Sequence, residues 1–189
     1  MAMTLAQTDQ ELLQRTAAAD ATALRVLYGR HHVRVFRFIT RLVANDAVAE
    51  ELTNEVFIDV WKHAGKFEGR STASTWLLAI ARNKAISLLR RRKDEALDDD
   101  AAAQIPDAED TPEVVAQKHN KRSIIRTCLG QLSAEHREVI DLIYYHEKSV
   151  REVSEIVEVP ESTVKTRMFY ARKALSVLLL DAGVERGWP

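Results

Sequence analysis

Apolar side chains recur every three or four residues along most of this chain, which is the spacing of one face of an α-helix. The clearest series is Leu24, Leu27, Tyr28, His31, Val35, Phe38, Ile39 and Leu42. Only 6 Gly and 4 Pro interrupt the 189 residues, and the alternation that is typical of strands is hard to find. We therefore predict an all-α protein.

The helical pattern falls into two blocks with an acidic segment between them. We predict a first small domain over residues 9–93, a flexible linker over 94–113 and a second small domain over 114–182. The linker holds nine acidic residues and no Lys or Arg, and its apolar residues have no period. Asn45 and Ser133 are expected to cap helices, because their side chains accept hydrogen bonds from backbone amides at a helix start.

The charge of the chain is balanced overall. Its formal net charge is −1, which by itself does not indicate a nucleic-acid-binding protein, although binding depends on where the cations lie. Cys128 is the single cysteine, so it has no internal disulfide partner. The N-terminus lacks the features of a signal peptide, and no apolar run approaches the ~20 residues of a membrane span. We expect a cytoplasmic protein with no membrane insertion.

A run of basic residues ends the first block. Its members are Arg82, Lys84, Arg90, Arg91, Arg92 and Lys93, with no acidic residue from 82 to 93. The helix dipole favours cations at a helix C-terminus by under ~1 kcal/mol each. Four consecutive cations exceed what capping needs, and they repel one another. The run therefore indicates a phosphate backbone as partner, although the acidic segment that follows could also screen it internally.

Residues 150–175 have the organisation of a helix-turn-helix. Val153 and Ile156 give a short helix an apolar face, 157–160 supply a turn, and a longer helix begins near Glu161. The inward stripe of this longer helix is Val164, Met168, Ala171 and Leu175. Its outward face is Ser162, Thr163, Lys165, Thr166, Arg167, Tyr170, Arg172 and Lys173. An outer face without acidic residues is typical of a helix that enters the major groove; an ordinary solvated face is the alternative.

Three stretches in this order resemble the extracytoplasmic-function (ECF) group of sigma-70 factors. They are Asp46–Phe67, Ser74–Lys93 and Leu132–Tyr145, the last followed by the helix-turn-helix. In that family the first stretch grips core RNA polymerase, the second engages and opens the −10 element, and the third reads the −35 element. The resemblance implies a non-catalytic sigma factor, with a regulon of stress or environmental response, and it covers roughly residues 24–180.

The resemblance also implies roles for particular residues. Glu51, Asn54 and Glu55 share one helix face and are implied to contact the polymerase clamp helices. Asn83, beside the basic run, is implied to contact the non-template strand. The loop 67–71 is similar to the family's pocket for a flipped-out base. Core polymerase, promoter DNA and an anti-sigma factor are the implied partners, and the free chain is expected to be a monomer.

Three positions depart from the family pattern. Glu158 stands at a turn position that is usually glycine, so a left-handed conformation there would cost ~1 kcal/mol or more, unless the turn differs. Ser162 replaces a glycine at the start of the recognition helix, and Ser87 stands where aspartate is common. These departures leave the base preferences open.

Two other functions are compatible with the residues alone. A conventional repressor or activator would use the first block for sensing or dimerisation and would bind duplex DNA without polymerase. A module that imitates a sigma factor for its inhibitor would have no DNA role. The histidines and Cys128 lack zinc-like spacing, and no phosphate loop or nucleophile motif occurs, so we expect no metal, cofactor or catalytic residue.

Overall fold

The structure is a computed structural model that describes residues 7–96 and 116–184, with side chains described for 7–94 and 123–184. Throughout these residues the regular structure is helical, which confirms the predicted fold class. The chain divides into two compact units. The first holds α1 (Asp9–Ala17), α2 (Ala21–Val43), α3 (Asp46–His63) and α4 (Ala73–Ala96). The second holds α5 (Ala116–Gln131), α6 (Ala134–Ile140), most of α7 (Val150–Val157) and α8 (Glu161–Asp181).

The helices of the first unit begin at polar caps that the local sequence supplies. Thr8 and Glu11 form a capping box at α1, and Asp20 accepts hydrogen bonds from backbone amides at the start of α2. The predicted cap at Asn45 is confirmed, since its Oδ1 accepts a hydrogen bond from the Val48 amide at 3.0 Å. A short 3₁₀ turn, Ala64–Lys66, follows α3.

The core of the first unit forms where α2 packs against α1, α3 and α4. Most of the predicted α2 face is buried, including Leu27, Val35 and Phe38. Tyr28 is an exception, because it lies exposed at the edge, where its ring is 4.8 Å from that of Phe57. The outcome is a bundle that presents the outer faces of α3 and α4 to solvent.

The second unit is organised around α8, which packs against α5 and α6. The predicted inward stripe is confirmed: Val164, Met168, Ala171 and Leu175 are all buried. Ser133 caps α6 as predicted, accepting a hydrogen bond from the His136 amide at 3.3 Å. A π-helical turn, Asp141–Tyr145, extends α6, which the sequence pattern did not indicate.

In the turn between α7 and α8, Glu158 adopts the left-handed conformation, and the turn does not differ to avoid it. This residue has φ 56° and ψ 42°, in the left-handed region that favours glycine. The turn is tied down from α7, where the Ser154 hydroxyl donates a 2.6 Å hydrogen bond to the carbonyl oxygen of Val159. The helix-turn-helix therefore keeps its geometry without a glycine.

Helix α4 reaches into the segment predicted to be a linker. Helix α4 continues through Asp94 to Ala96, whereas residues 97–113 lie outside the described residues. No helix within 7–96 or 116–184 is both long and apolar enough to cross a membrane. Among the residues that the structure describes, no group of three or more His, Cys, Asp or Glu could hold a metal ion.

Candidate nucleic-acid interfaces

The outer face of α8 carries most of the residues predicted to contact duplex DNA. Those that lie exposed are Ser162, Lys165, Thr166, Tyr170, Arg172 and Lys173, while Thr163 is half-buried. The Thr166 hydroxyl donates to the carbonyl oxygen of Ser162 at 2.9 Å, which orients it along the helix. The Arg172 guanidinium lies 5.7 Å from the ring centre of Tyr144, a cation–π contact. Cations and hydroxyls thus share one surface.

Phe169 belongs to this surface, although the sequence reasoning did not select it. Its side chain is 64% exposed, and its ring lies edge-on to that of Tyr170 at 5.4 Å. Helical spacing could have found it, because Lys165 and Lys173 stand four residues before and after it. An exposed aromatic ring among cations suits an apolar contact with a base edge, such as the methyl group of thymine.

The side chain of Arg167 is less exposed than expected for a residue on the outer face of α8. A terminal guanidinium nitrogen lies 3.0 Å from Oε1 of Glu135, at the start of α6, and the arginine side chain is only 19% exposed. Glu135 itself is 65% exposed. Arg167 therefore lies at the border between α8 and α6, and one carboxylate orients it.

The C-terminal half of α8 is different in character. Val177 and Leu180 are exposed there. A groove of about 700 Å³ runs along this part of the second unit. Its lining combines apolar and polar side chains: Gln131, Leu132, Ser133, His136, Tyr170, Lys173, Ala174, Val177 and Leu178. Exposed apolar side chains with a polar rim are typical of a protein-binding surface.

In the first unit, the basic run occupies the end of α4. Asn83, Arg90, Arg91 and Arg92 are exposed, and Arg82 is half-buried. The three consecutive arginines point in different directions around the helix, since successive residues are about 100° apart. This end of α4 therefore presents positive charge over a wide angle, which suits a flexible, single-stranded backbone.

Lys84 belongs to the predicted DNA-binding set, but its side chain is directed toward α3. Its Nζ donates to Oδ2 of Asp59 at 2.8 Å and to Oε2 of Glu55 at 3.1 Å, both on α3. Partial burial lowers the pKa of Lys84, but the hydrogen bonds and charges of these two carboxylates outweigh it and raise the pKa above its ordinary value. The ion pairs join a residue predicted to bind DNA to one predicted to bind polymerase.

The predicted polymerase-binding residues line one stripe of α3. Glu51 and Asn54 are exposed, and Glu55 is half-buried beside Lys84. The stripe continues into Ile58 and Trp61, which are exposed apolar side chains. Spacing by three and four residues from Glu51 could have identified them. Acidic and apolar groups on one stripe are typical of a surface that binds a protein with cations of its own.

The loop before α4 is anchored by aromatic contact. The rings of Phe67 and Trp76 lie 5.4 Å apart at a tilt of 52°, and Gly69 has φ 70°, a conformation that favours glycine. Arg70 projects into solvent and pairs with Glu68. The loop thus brings an aromatic group and a cation to the start of the helix that carries the basic run.

Comparison with known proteins accounts for both units. Residues 27–95 match the family described as Sigma-70 region 2, and residues 122–175 match Sigma-70, region 4. The chain is 33% identical over 171 residues to the ECF RNA polymerase sigma factor SigL of Mycobacterium tuberculosis. This match covers 90% of this chain and 96% of the relative. It is 31% identical over 163 residues to the ECF RNA polymerase sigma factor SigK of Mycobacterium sp. strain KMS, covering 83% of each.

A solved structure has a similar fold. It is the sigma factor RpoE of Bartonella quintana, crystallised with the anti-sigma factor NepR, with a TM-score of 0.67 and 26% identity. The match covers 86% of this chain and 98% of the other.

Proposed function

Because the chain belongs to the ECF group of sigma-70 factors, it is a promoter-directing sigma factor, and we propose that its two units divide promoter recognition between α4 and α8. The factor binds core RNA polymerase and promoter DNA and catalyses no reaction itself. Membership of this family favours a sigma factor over the two other functions considered from the sequence, a conventional repressor or activator and a module that imitates a sigma factor for its inhibitor. The observation that carries the proposal is a pair of cation clusters, with Arg90–Arg92 exposed at the end of α4 and Arg172 and Lys173 exposed on the outer face of α8.

In the second unit, α8 is the helix that we assign to the major groove of the −35 element. Lys165, Arg172 and Lys173 would contact phosphates, which fix the position of the helix but carry no base sequence. Ser162, Thr166 and Phe169 would face base edges, through hydroxyl hydrogen bonds and apolar contact. The remaining predicted DNA-binding residues of α8 lie at the border of this face: Thr163, Arg167 and Tyr170.

In the first unit, we assign the end of α4 to the opened −10 element. Each separated base-pair step loses about 1.4 kcal/mol of stacking, so the bubble needs binding energy from the factor. Arg90, Arg91 and Arg92 would supply it by holding the phosphates of the non-template strand, with Asn83 on a base or sugar. The loop 67–71 would take a flipped base, supported by the Phe67–Trp76 contact.

The stripe on α3 is the surface that we assign to the polymerase. Glu51, Asn54 and Glu55 would pair with cationic and polar groups of the clamp helices. Ile58 and Trp61 would add the apolar burial that exposed ion pairs do not provide, since such pairs contribute at most about 1 kcal/mol each.

We assign the apolar half of α8 to a protein partner, and propose an anti-sigma factor. The structurally similar RpoE was crystallised with such a protein. Covering Val177, Leu180 and the adjoining groove would also hinder the DNA-binding face of the same helix. We place the protein in the cytoplasm, where polymerase and promoters are found, and propose a stress or environmental-response regulon on family resemblance.

Transcription reconstituted from core polymerase and this chain tests the assignment. We expect selective starts from a genomic promoter pool, which core enzyme alone does not give. Glu51→Lys should weaken core binding, because it places a cation against a cationic partner, and should leave duplex DNA binding unchanged. Asp46→Lys is the matched control, since Asp46 is exposed in the first turn of the same helix, five residues before the stripe begins at Glu51. A pool without any selective start would contradict the proposal, as would equal losses from both reversals.

A further inference from the structure

Lys84 links two helices that the proposed function assigns to different partners. It lies on α4, next to Asn83 and two turns before Arg91, so its backbone position is among the DNA-binding residues. Its ammonium group nevertheless lies on α3, 2.8 Å from Asp59 and 3.1 Å from Glu55. The side chain is 20% exposed, and it bridges two carboxylates that are one helical turn apart.

The two carboxylates remain accessible to a partner. The Glu55 side chain is 46% exposed and that of Asp59 is 34% exposed. Glu55 contacts Lys84 through Oε2, and a carboxylate has further lone pairs for a second cation. Ion pairs with this much solvent contact are individually weak, so a competing charge can displace them.

We propose that Lys84 is a positioning residue that couples polymerase binding to capture of the single strand. In the free factor, Glu55 and Asp59 hold its ammonium on α3, away from nucleic acid. When a polymerase cation engages Glu55, Asp59 alone holds Lys84, and a phosphate beside Asn83 can then draw the lysine away. This inference rests on the proposed function of the α3 stripe. Since coupling is reciprocal, a strand that takes Lys84 also strengthens the polymerase contact of Glu55.

The free full-length chain and a mixed-sequence single-stranded DNA oligonucleotide test the link without polymerase. Fluorescence anisotropy over a range of NaCl concentrations gives the affinity and its salt dependence. Glu55→Gln leaves Lys84 held by Asp59 alone, so that a phosphate can compete for it. It should raise the affinity about fivefold, and steepen the slope of log K against log salt by about 0.7, the value for one added phosphate contact. Glu51→Gln removes the same charge one turn earlier and should give a smaller rise without a steeper slope.

Lys84→Gln separates release of the lysine from a general gain in attraction. In the Glu55→Gln background, Lys84→Gln should abolish both the gain in affinity and the added slope, whereas Lys84→Arg should retain them, because it keeps a cation that reaches phosphate. Thermal unfolding of each variant establishes that it is folded. If Glu55→Gln behaves like Glu51→Gln, or if its gain persists without Lys84, the ion pair is only a cross-link between α3 and α4 and the proposal is overturned.

Adding core polymerase completes the test. Core enzyme should increase the affinity of the factor for the oligonucleotide, and Lys84→Gln should reduce that increase while core binding, measured separately, is retained. An undiminished increase in Lys84→Gln would overturn the coupling. If the α3 stripe is not the polymerase-binding surface, Glu51→Lys will leave core binding unchanged. That outcome would not alter the DNA-binding results on the free chain.

Discussion

Helices α4 and α8 both carry many cations, but they distribute them differently. On α4, Arg90, Arg91 and Arg92 are consecutive and surround the end of the helix. On α8, Lys165 and Arg172 are separated by hydroxyl and aromatic side chains on one face. A run of cations suits a backbone in any base sequence, whereas a mixed face also presents groups that distinguish base edges. The arrangement of the cations, more than their number, separates the two proposed tasks.

Lys84 and Arg167, both predicted to bind DNA, each pair with a carboxylate of a neighbouring helix. Lys84 is held by two carboxylates of α3, and Arg167 by the single carboxylate of Glu135 on α6. The difference lies in the partners, because Glu135 is largely exposed and water competes for it. Lys84 is therefore the more firmly held of the two, and Arg167 the more easily recruited by DNA.

The largest effect is expected from neutralising the run on α4. Changing Arg90, Arg91 and Arg92 together to Gln should lower the salt slope for single-stranded DNA by about 2, at about 0.7 for each phosphate contact. Promoter opening, measured by permanganate reactivity of unpaired thymines, should fall strongly. Binding of the free chain to a −35 duplex should change little. The matching variant on α8 combines Arg172→Gln and Lys173→Gln. It should weaken binding to the −35 duplex and change single-stranded DNA binding little. Similar losses in both assays for both variants would contradict the proposed division between α4 and α8.

An intermediate effect on binding to the −35 duplex is expected from Arg167, at the border between α8 and α6. Arg167→Ala should weaken −35 duplex binding by about 1–3 kcal/mol, concentrated at one base pair, if its guanidinium reads a guanine there. Glu135→Gln should change binding by no more than about 1 kcal/mol, because the pair that it removes is solvent-exposed. Competition with duplexes substituted at each position measures both. A loss from Arg167→Ala that is equal on every sequence would make this residue a phosphate contact.

The smallest effect concerns the turn rather than the charges. Glu158→Gly should stabilise the second unit by about 1 kcal/mol, because glycine adopts the left-handed conformation without the strain of a Cβ atom. Glu158→Ala is the control, since it removes the carboxylate but keeps Cβ, and it should give no such gain. Chemical unfolding of the full chain measures the difference. A stabilisation of the same size in Glu158→Ala would indicate charge repulsion instead of backbone strain.

Local features of the structure could be predicted well from sequence. The caps at Asn45 and Ser133, the starts of α7 and α8 and the buried stripe from Val164 to Leu175 all follow from interactions within a few residues. The π-helical turn Asp141–Tyr145 could not be predicted, because it depends on packing within the second unit and not on a distinctive residue pattern. The assignments of residues to polymerase and to DNA remain proposals.

Periodicity and capping are properties of neighbouring residues, so the sequence was enough to indicate the helices, their inward faces and the places where cations are concentrated. Which of those cations pair with carboxylates of another helix depends on how the helices pack. An ion pair such as Lys84 with Glu55 joins residues that are far apart in the chain, and it forms only because α3 and α4 pack side by side. The same packing decided that Ile58 and Phe169 lie exposed, since burial depends on which helix covers which face.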